Sequence, residues 1–308
     1  MQVAIFGAGL MGSGIAAISA LAGNRTILID LDDVRAEKGQ KSAFAAIDAL
    51  VGYELATSEQ GELAKNLIVP CSDMAAGVAG ASLIIEAIFE NVQIKQQLFK
   101  QLDAIVPEDV PICSNTSGLR ITDIAALVEH PERTMTTHFW FPAHLVPLVE
   151  VVMWEKTDPD KAVWVRDELK TWGKAPVIVK RDLPGQLANR ILQAVIREAI
   201  NIVAIDLASP EDVDTAVKMG MGIRFPAWGP LEHVDAVGMD LCESVQNTVL
   251  PGINSSDKAN PYMTELVKQG NLGVKTGKGF YDWSIKSMSE LAKGRDDFIV
   301  HALKQLRK

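Results

Sequence analysis

The chain has 308 residues, 48% hydrophobic and 22% charged, a balance that supports a sizeable core and a length that suggests about two domains. Against 39 Asp and Glu stand 30 Lys and Arg, a net charge of −9 with no basic block, which argues against nucleic acid or an anionic membrane surface as the main partner. Cys71, Cys113 and Cys242 are odd in number and form no CxxC pair, so neither a disulfide framework nor a cysteine-rich metal site is expected, and a reducing, cytoplasmic setting fits.

Gln2–Phe6 (QVAIF) reads as the first strand, and the apolar start around it lacks the basic flank of a signal peptide. Thr26–Asp30 (TILID) reads as the second strand. Val34 to Lys65 lacks strand signals and is expected to be helical; it is long for one crossover and is expected to project as a helical hairpin over a cleft. Ser82–Ile88, Ile112–Ser114, Thr134–His138 and Leu148–Met153 follow as strands, and Pro176–Val179 closes the series. Strands alternating with helices predict an α/β fold, a doubly wound and mostly parallel sheet with helices on both faces. After Asp182-Leu183-Pro184-Gly185 the strand signals stop. Gln186 to Leu207 reads as a long apolar helix, Ser209-Pro210 starts the next, and Pro230, Pro251 and Pro261 punctuate shorter ones. Ile191 to Leu207 carries Arg197, Glu198 and Asp206, so it is expected to be a buried helix rather than a membrane span. The expected division is 1–181 for the α/β domain and 182–308 for an all-α domain.

Gly7, Gly9 and Gly12 stand in GxGxxG spacing directly after the first strand and open a helix. Gly7 permits the tight turn, Gly9 has no side chain to block a pyrophosphate, and Gly12 lets the helix pack close to the strand. With Leu10 and Met11 at the helix start, the helix N-terminus offers N–H groups and a positive dipole end to phosphates. Asp30 ends the second strand 18 residues after Gly12, placed to accept hydrogen bonds from ribose hydroxyls. Strand, loop, helix, second strand and terminal acid in this order predict a Rossmann-type dinucleotide site. Asp32 and Asp33 beside Asp30 would repel a 2′-phosphate, so NAD is expected over NADP; Arg35 is the nearest cation.

Four further segments stand out: Glu86 to Asn91 (EAIFEN), Ser114 to Ser117 (SNTS), His138 to Glu150 (HFWFPAHLVPLVE) and Pro184 to Arg190 (PGQLANR). With the glycine loop, the segment DVDTAVK (Asp212 to Lys218) and the run GVKTGKGFY (Gly273 to Tyr281), they resemble the L-3-hydroxyacyl-CoA dehydrogenase family over nearly the whole chain. His138 lies at a strand end and Glu150 lies 12 residues later in the next strand, so adjacent strands can bring them together. A carboxylate on one imidazole nitrogen fixes the tautomer and raises basicity, leaving the other nitrogen to take a proton. The resemblance implies that His138 removes the proton of a substrate 3-hydroxyl while hydride leaves C3 for the nicotinamide. It implies that Ser117, in a polar turn after a strand, and Asn189, on the first helix of the second domain, contact the reacting oxygen, so that the site would lie between the domains. Glu90 and Lys95 match positions that contact the nicotinamide half of the cofactor, and Asn115 and Lys275 are further candidates. His144 reads as structural or substrate-lining; His130, His233 and His301 carry no signal. The resemblance and the apolar faces of Ile191 to Leu207 imply a homodimer through the second domain. No metal is expected.

Two departures bear on the substrate. Where the family usually reads HFFNP, this chain has His138-Phe139-Trp140-Phe141-Pro142: Phe141 replaces an asparagine that touches the cofactor in the family, and Trp140 adds bulk. Leu145 to Glu150, and Gly222-Ile223-Arg224-Phe225 through Glu232, are more similar to the branch of L-carnitine dehydrogenase and lambda-crystallin (L-gulonate 3-dehydrogenase), which acts on free 3-hydroxy acids. Arg224 could pair bidentately with a free carboxylate; its other reading is an ordinary interdomain or dimer ion pair. Between Glu37 and Lys65 three cations (Lys38, Lys41, Lys65) face five acids (Glu37, Asp48, Glu54, Glu59, Glu62), a weak cradle for the phosphates of coenzyme A. These departures favour a small free 3-hydroxy acid, with an L-3-hydroxyacyl-CoA such as 3-hydroxybutyryl-CoA as the alternative. A non-enzymatic NAD-binding scaffold, and a 3-hydroxyisobutyrate or 6-phosphogluconate type of dehydrogenase with a catalytic lysine, are disfavoured by the pairing of His138 with Glu150 and by Asn189.

Overall fold

In the computed structural model, which describes residues 1–306, β1 (Gln2–Phe6), β2 (Arg25–Ile29), β3 (Ile68–Cys71), β4 (Leu83–Glu86), β5 (Ile112–Ser114), β6 (Thr134–Phe139), β7 (Leu148–Val152) and β8 (Ala175–Val179) form one sheet. The spatial order is β3-β2-β1-β4-β5-β6-β7-β8. Every neighbouring pair is parallel except β6 and β7. The strand order reverses between β1 and β4, and in open α/β sheets ligands bind outside the carboxyl ends of the strands at such a switch point.

Seven helices join the strands: α1 (Leu10–Leu21), α2 (Asp33–Gly52), α3 (Ser58–Leu67), α4 (Met74–Val78), α5 (Val92–Ile105), α6 (Ile121–Ile124) and α7 (Pro159–Thr171). Their starts follow from capping chemistry. Asp32, Asn91 and Asp158 accept backbone N–H groups at the starts of α2, α5 and α7, and Thr57 with Gln60 closes a capping box on α3. Because the sheet is covered on both faces, its central strands are continuous apolar runs; all of Leu83–Glu86 is buried. One face packs Val3, Ile15, Ile47, Val149 and Leu169; the other packs Ile84, Phe99, Leu102, Ile121 and Trp154.

Two features of the α/β unit differ from the sequence reading. The strand β3 is not expected from the sequence, because Pro70 interrupts its four residues. As an edge strand it has only one ladder to satisfy, and Pro70 is tolerated there. The segment Val34 to Lys65 is a helical pair, but it packs on the sheet layer instead of standing away from it. Ala36, Gly39, Ala43, Ile47 and Leu50 form a buried stripe along α2. A β-carbon at Gly39 would come within 2.3 Å of Ala8 Cβ, so the small residue lets α2 lie directly against the glycine loop.

The chain divides into two compact units, Met1–Ala188 and Asn189–Lys308. The second unit contains most of α8 (Ala188–Ala204), then α9 (Pro210–Ala216), α10 (Pro230–Val237), α11 (Met239–Val249), α12 (Pro261–Lys268) and α13 (Met288–Leu306). The expectation that Ile191 to Leu207 is a buried helix is not met within this unit: no residue of α8 is buried. Among the described residues of the unit, Val213 and Val300 are the buried hydrophobic side chains, whereas Leu207, Leu231, Met239, Ile285 and Phe298 are exposed. No described helix is long and apolar enough to cross a membrane.

Candidate active site

The loop after β1 is shaped by its glycines. Gly7 has φ +93°, and a β-carbon there would lie 2.5 Å from the Ala87 carbonyl oxygen, so the loops after β1 and β4 meet backbone to backbone. A β-carbon at Gly12 would lie 1.8 Å from Gly7 O. A β-carbon at Gly9 would meet nothing within 4 Å, so the space over the start of α1 is open. Unlike α2 and α5, α1 has no side-chain cap, which leaves the N–H groups of Leu10 and Met11 to an anionic ligand. Asp30, one residue past β2, accepts the Ala8 N–H on Oδ2 and the Leu31 N–H on Oδ1, both at 2.7 Å, which fixes its carboxylate beside the loop. The guanidinium of Arg35 lies 3.4 Å from Asp32, whose carboxylate also caps its backbone N–H. Leu10, Leu31, Phe89 and Phe141, from the segments after β1, β2, β4 and β6, are all exposed. These features fit a pyrophosphate at the uncapped helix start and a ribose at Asp30.

His138 and Glu150 are direct register partners in the antiparallel pair β6/β7. Directly opposed residues carry their side chains on the same face of a sheet. The Glu150 carboxylate can only accept, so His138 Nδ1–H donates to Oε2 at 2.7 Å and Nε2 is the nitrogen left to take a proton. Glu150 is fully buried. Trp140 Nε1–H donates to Oε2 at 3.1 Å, and the N–H groups of Leu187 and Ala188 donate to Oε1 at 2.8 Å each. Burial opposes ionisation, but the bonds from His138, Ala188, Trp140 and Leu187 outweigh it and bring the Glu150 carboxyl down to about 2. Sequence reasoning pairs His138 with Glu150 but misses the other three donors. From the sequence Trp140 offers only its bulk, and the PGQLANR segment contributes through backbone groups, which no side-chain pattern reveals.

Glu86, at the end of β4, is a second buried carboxylate to which the sequence reading assigns no role. It accepts Lys95 Nζ at 2.5 Å, Ser114 Oγ at 2.6 Å and the Ile88 N–H at 2.7 Å. Lys95 is fully buried, with Nζ also 3.3 Å from Glu90, so its ammonium is shared between two carboxylates. Glu90 is partly exposed and accepts from the Thr116 hydroxyl and the N–H groups of Ser117 and Gly118. Its burial is outweighed by the Thr116 hydroxyl, Lys95 and the Gly118 N–H, which hold the carboxyl below its ordinary value. Asn115 Oδ1 accepts the Phe139 N–H at 2.8 Å, and Gln186 Nε2 donates to Thr116 O at 3.0 Å. The loop after β5 is thus pinned to β6, to the loop after β4 and to the segment before α8. On it, Ser117 is exposed.

Asn189 follows Ala188 directly and belongs to the second unit, as do Arg224 and Lys275. Arg224 is exposed and its Nε donates to Gly220 O at 2.9 Å. Lys275 is on the wall of an apolar cavity of about 610 Å³ lined also by Ile200, Phe280 and Trp283. Among the described residues no three His, Cys, Asp or Glu side chains converge in a way that could hold a metal ion.

Residues 2–183 match the 3-hydroxyacyl-CoA dehydrogenase NAD binding domain, and residues 185–283 match the 3-hydroxyacyl-CoA dehydrogenase C-terminal domain. The chain is 32% identical over 294 residues to 5-formyl-3-hydroxy-2-methylpyridine 4-carboxylate 5-dehydrogenase of Mesorhizobium japonicum, covering 96% of this chain and 94% of that protein. It is 35% identical over 293 residues to the mitochondrial hydroxyacyl-coenzyme A dehydrogenase of Sus scrofa, covering 92% of this chain and 91% of the other. A crystal structure of the same pyridine carboxylate dehydrogenase activity, described as an NAD+ dependent dismutase, superposes with a TM-score of 0.88 at 31% identity, covering 99% of this chain and 98% of that one. An open glycine loop at the sheet's switch point, a histidine oriented by a buried carboxylate, and family matches across both units lead to one conclusion: the chain belongs to the 3-hydroxyacyl-CoA dehydrogenase family and is an NAD-dependent oxidoreductase acting on a hydroxyl group.

Proposed function

We propose that this enzyme interconverts a small free 3-hydroxy acid and the 3-keto acid, with His138 as the general base. The observation that carries the chemistry is the His138–Glu150 pair, a histidine whose Nδ1–H is committed to an anionic carboxylate. Gly7, Gly9, Leu10, Met11, Gly12 and Asp30 would hold NAD, which would supply the hydride acceptor. As the C3–H bond gives up its hydride, the O3–H proton passes to His138 Nε2 and the C–O bond becomes a carbonyl. Glu150 keeps the imidazole in the competent tautomer and stabilises the imidazolium that forms. Ser117 and Asn189 hydrogen-bond the reacting oxygen as charge develops on it. Glu90 orients the Ser117 loop and would contact the nicotinamide half of the cofactor, with the fully buried Lys95 acting through Glu90; Asn115 and Lys275 would be secondary cofactor contacts.

Three observations support a free acid. Arg224 is exposed and offers a guanidinium for a carboxylate, its Nε resting on Gly220 O. Of the three lysines on α2 and α3, Lys65 is bound to Asp48 at 2.7 Å and Glu62 at 2.9 Å, which weakens a coenzyme A cradle further. The Mesorhizobium relative is named for a substrate with a carboxylate and no coenzyme A. The 35% identity to the pig hydroxyacyl-coenzyme A dehydrogenase favours the second reading, a coenzyme A thioester. NADH formation with free 3-hydroxybutyrate set beside 3-hydroxybutyryl-CoA separates them. Arg224→Met should raise KM for the free acid by a factor of tens and leave the thioester nearly unaffected, since a hydrogen bond to a charged group contributes about 1.5–3 kcal/mol. Far greater efficiency on the thioester would overturn the free-acid reading. The second unit supports a homodimer through its exposed apolar helices, and the three free cysteines fit a cytoplasmic setting.

A further inference from the structure

Trp140 lies two residues after His138 and shares its acceptor. The Trp140 indole N–H and His138 Nδ1–H both end on Glu150 Oε2, at 3.1 and 2.7 Å, while two backbone N–H groups occupy Oε1. The indole and imidazole rings are 5.6 Å apart between centroids and tilted by 50°. A donor on a carboxylate oxygen draws negative charge toward itself, and the charge it takes is lost to any other donor on the same oxygen.

We propose that Trp140 is a positioning residue for the hydride-transfer site, whose indole N–H competes with His138 for Glu150 Oε2 and so weakens the hold of the carboxylate on the imidazolium. The effect is to release His138 as a neutral base at lower pH than a pair without the extra donor would allow. The ring contact fixes the tilt of the imidazole at the same time. A side chain placed only to fill space would need no N–H, and phenylalanine has the same attachment and none. The inference rests on His138 being the base.

The charged groups around the pair are few. On β7 the partner is Glu150 itself; β8 is uncharged over Ala175–Val179, and β5 brings only the buried Cys113 thiol. The loop between β6 and β7 also carries His144. Among the elements on the face that His138 and Glu150 share, α6 carries Asp123, paired with Arg120, and the turn after β8 carries Asp182, held by Thr122. α5 contributes Lys95, held by Glu86 and Glu90. Arg190 follows Ala188 by two residues in the chain. Of these side chains, Trp140 is the neutral donor on Glu150.

The test uses the NAD-loaded full-length enzyme with labelled histidine, the His138 resonance being assigned by its loss in His138→Gln. Trp140→Phe removes the N–H, and benzothienylalanine at position 140 removes it while keeping a bicyclic ring of the same shape. In both, the His138 resonance should titrate at higher pH than in the wild type. On the acid limb of the pH profile for NAD reduction by 3-hydroxybutyrate or 3-hydroxybutyryl-CoA, kcat/KM relative to its plateau should fall about threefold, a part of what one hydrogen bond to a carboxylate contributes. A titration that stays in place or moves to lower pH overturns the proposal. Normal turnover by His138→Gln would overturn the base assignment and this proposal with it. A dead His138→Gln with an unmoved titration in Trp140→Phe overturns the proposal alone.

Discussion

Four hydrogen-bond donors converge on the fully buried Glu150, which in the proposed mechanism sets the tautomer of His138. Glu150→Gln keeps the shape but presents an amide that can donate to Nδ1, which stabilises the wrong tautomer and moves the proton onto Nε2. We expect kcat to fall by about 10²–10⁴ while the KM for NAD changes little, a split that steady-state kinetics resolves. The same carboxyl links stability to acid. Its folded value is about 2 against an ordinary 4.5, so its contribution is fully present above about pH 4.5 and is lost as pH falls toward about 2. Melting temperatures measured through that window should drop less steeply in Glu150→Gln than in the wild type. Asp30 is held by two backbone N–H groups beside the glycine loop, where it is proposed to meet the ribose. NAD should be preferred over NADP, and Asp30→Ala should narrow that preference at least tenfold; equal efficiency of the wild type with both cofactors contradicts the assignment. The pairing of His138 with Glu150 is legible in the sequence because the two lie in consecutive strands that can sit side by side and because the segment resembles the family; the register that opposes them comes from the structure. The indole donor of Trp140 and the buried Glu86–Lys95 pair are not, because a sequence gives no sign of which N–H or ammonium turns inward.

The elements that carry these residues differ in how openly the sequence announces them. The glycine loop is readable because each glycine answers a separate steric demand: a positive φ at Gly7, open space at Gly9 and contact with Gly7 O at Gly12. Gly9→Val should therefore raise the KM for NAD by tenfold or more with little loss of thermal stability, since a β-carbon there meets open space and the side chain would fill the place proposed for the pyrophosphate. Unchanged NAD affinity by calorimetry would contradict this. The strand β3 is hidden by Pro70, and the α2–α3 pair is misplaced by a sequence reading because its buried face is built largely from Ala and Gly, which carry little hydrophobic signal. The strand β6 depends on an anchor of another kind. Arg133 is fully buried, donates to Asp103 Oδ1 at 2.6 and 3.1 Å and also donates to the carbonyls of Asp103, Val106 and Pro107. Burial of Asp103 is outweighed by Arg133 and the N–H groups of Glu129 and His130, which hold its carboxyl below the ordinary value. Arg133→Ala strands this charge, and urea unfolding should show a loss of about 3–5 kcal/mol.

At the scale of the whole molecule the two units solve burial differently. The first closes two apolar layers around its sheet; the second leaves long runs of Leu, Met, Ile and Phe exposed along its helices. The helical character of the second unit is legible from its prolines and the absence of strand signals. Its exposed faces are not, because apolar residues on most sides of a helix read as a core whichever chain supplies the other half. A dimer is expected by light scattering at micromolar concentration, and a monomer would contradict that expectation. Oxidation of a hydroxyl group by NAD, with the proton passing to His138, is tested most directly by NADH formation. The wild type and His138→Gln are compared on free 3-hydroxybutyrate and on 3-hydroxybutyryl-CoA, with NAD affinity determined for both proteins. Turnover by the wild type, a fall of about 10²–10⁴ in kcat in the variant and unchanged NAD binding are the predicted result; a His138→Gln enzyme that turns over at the wild-type rate would contradict the account.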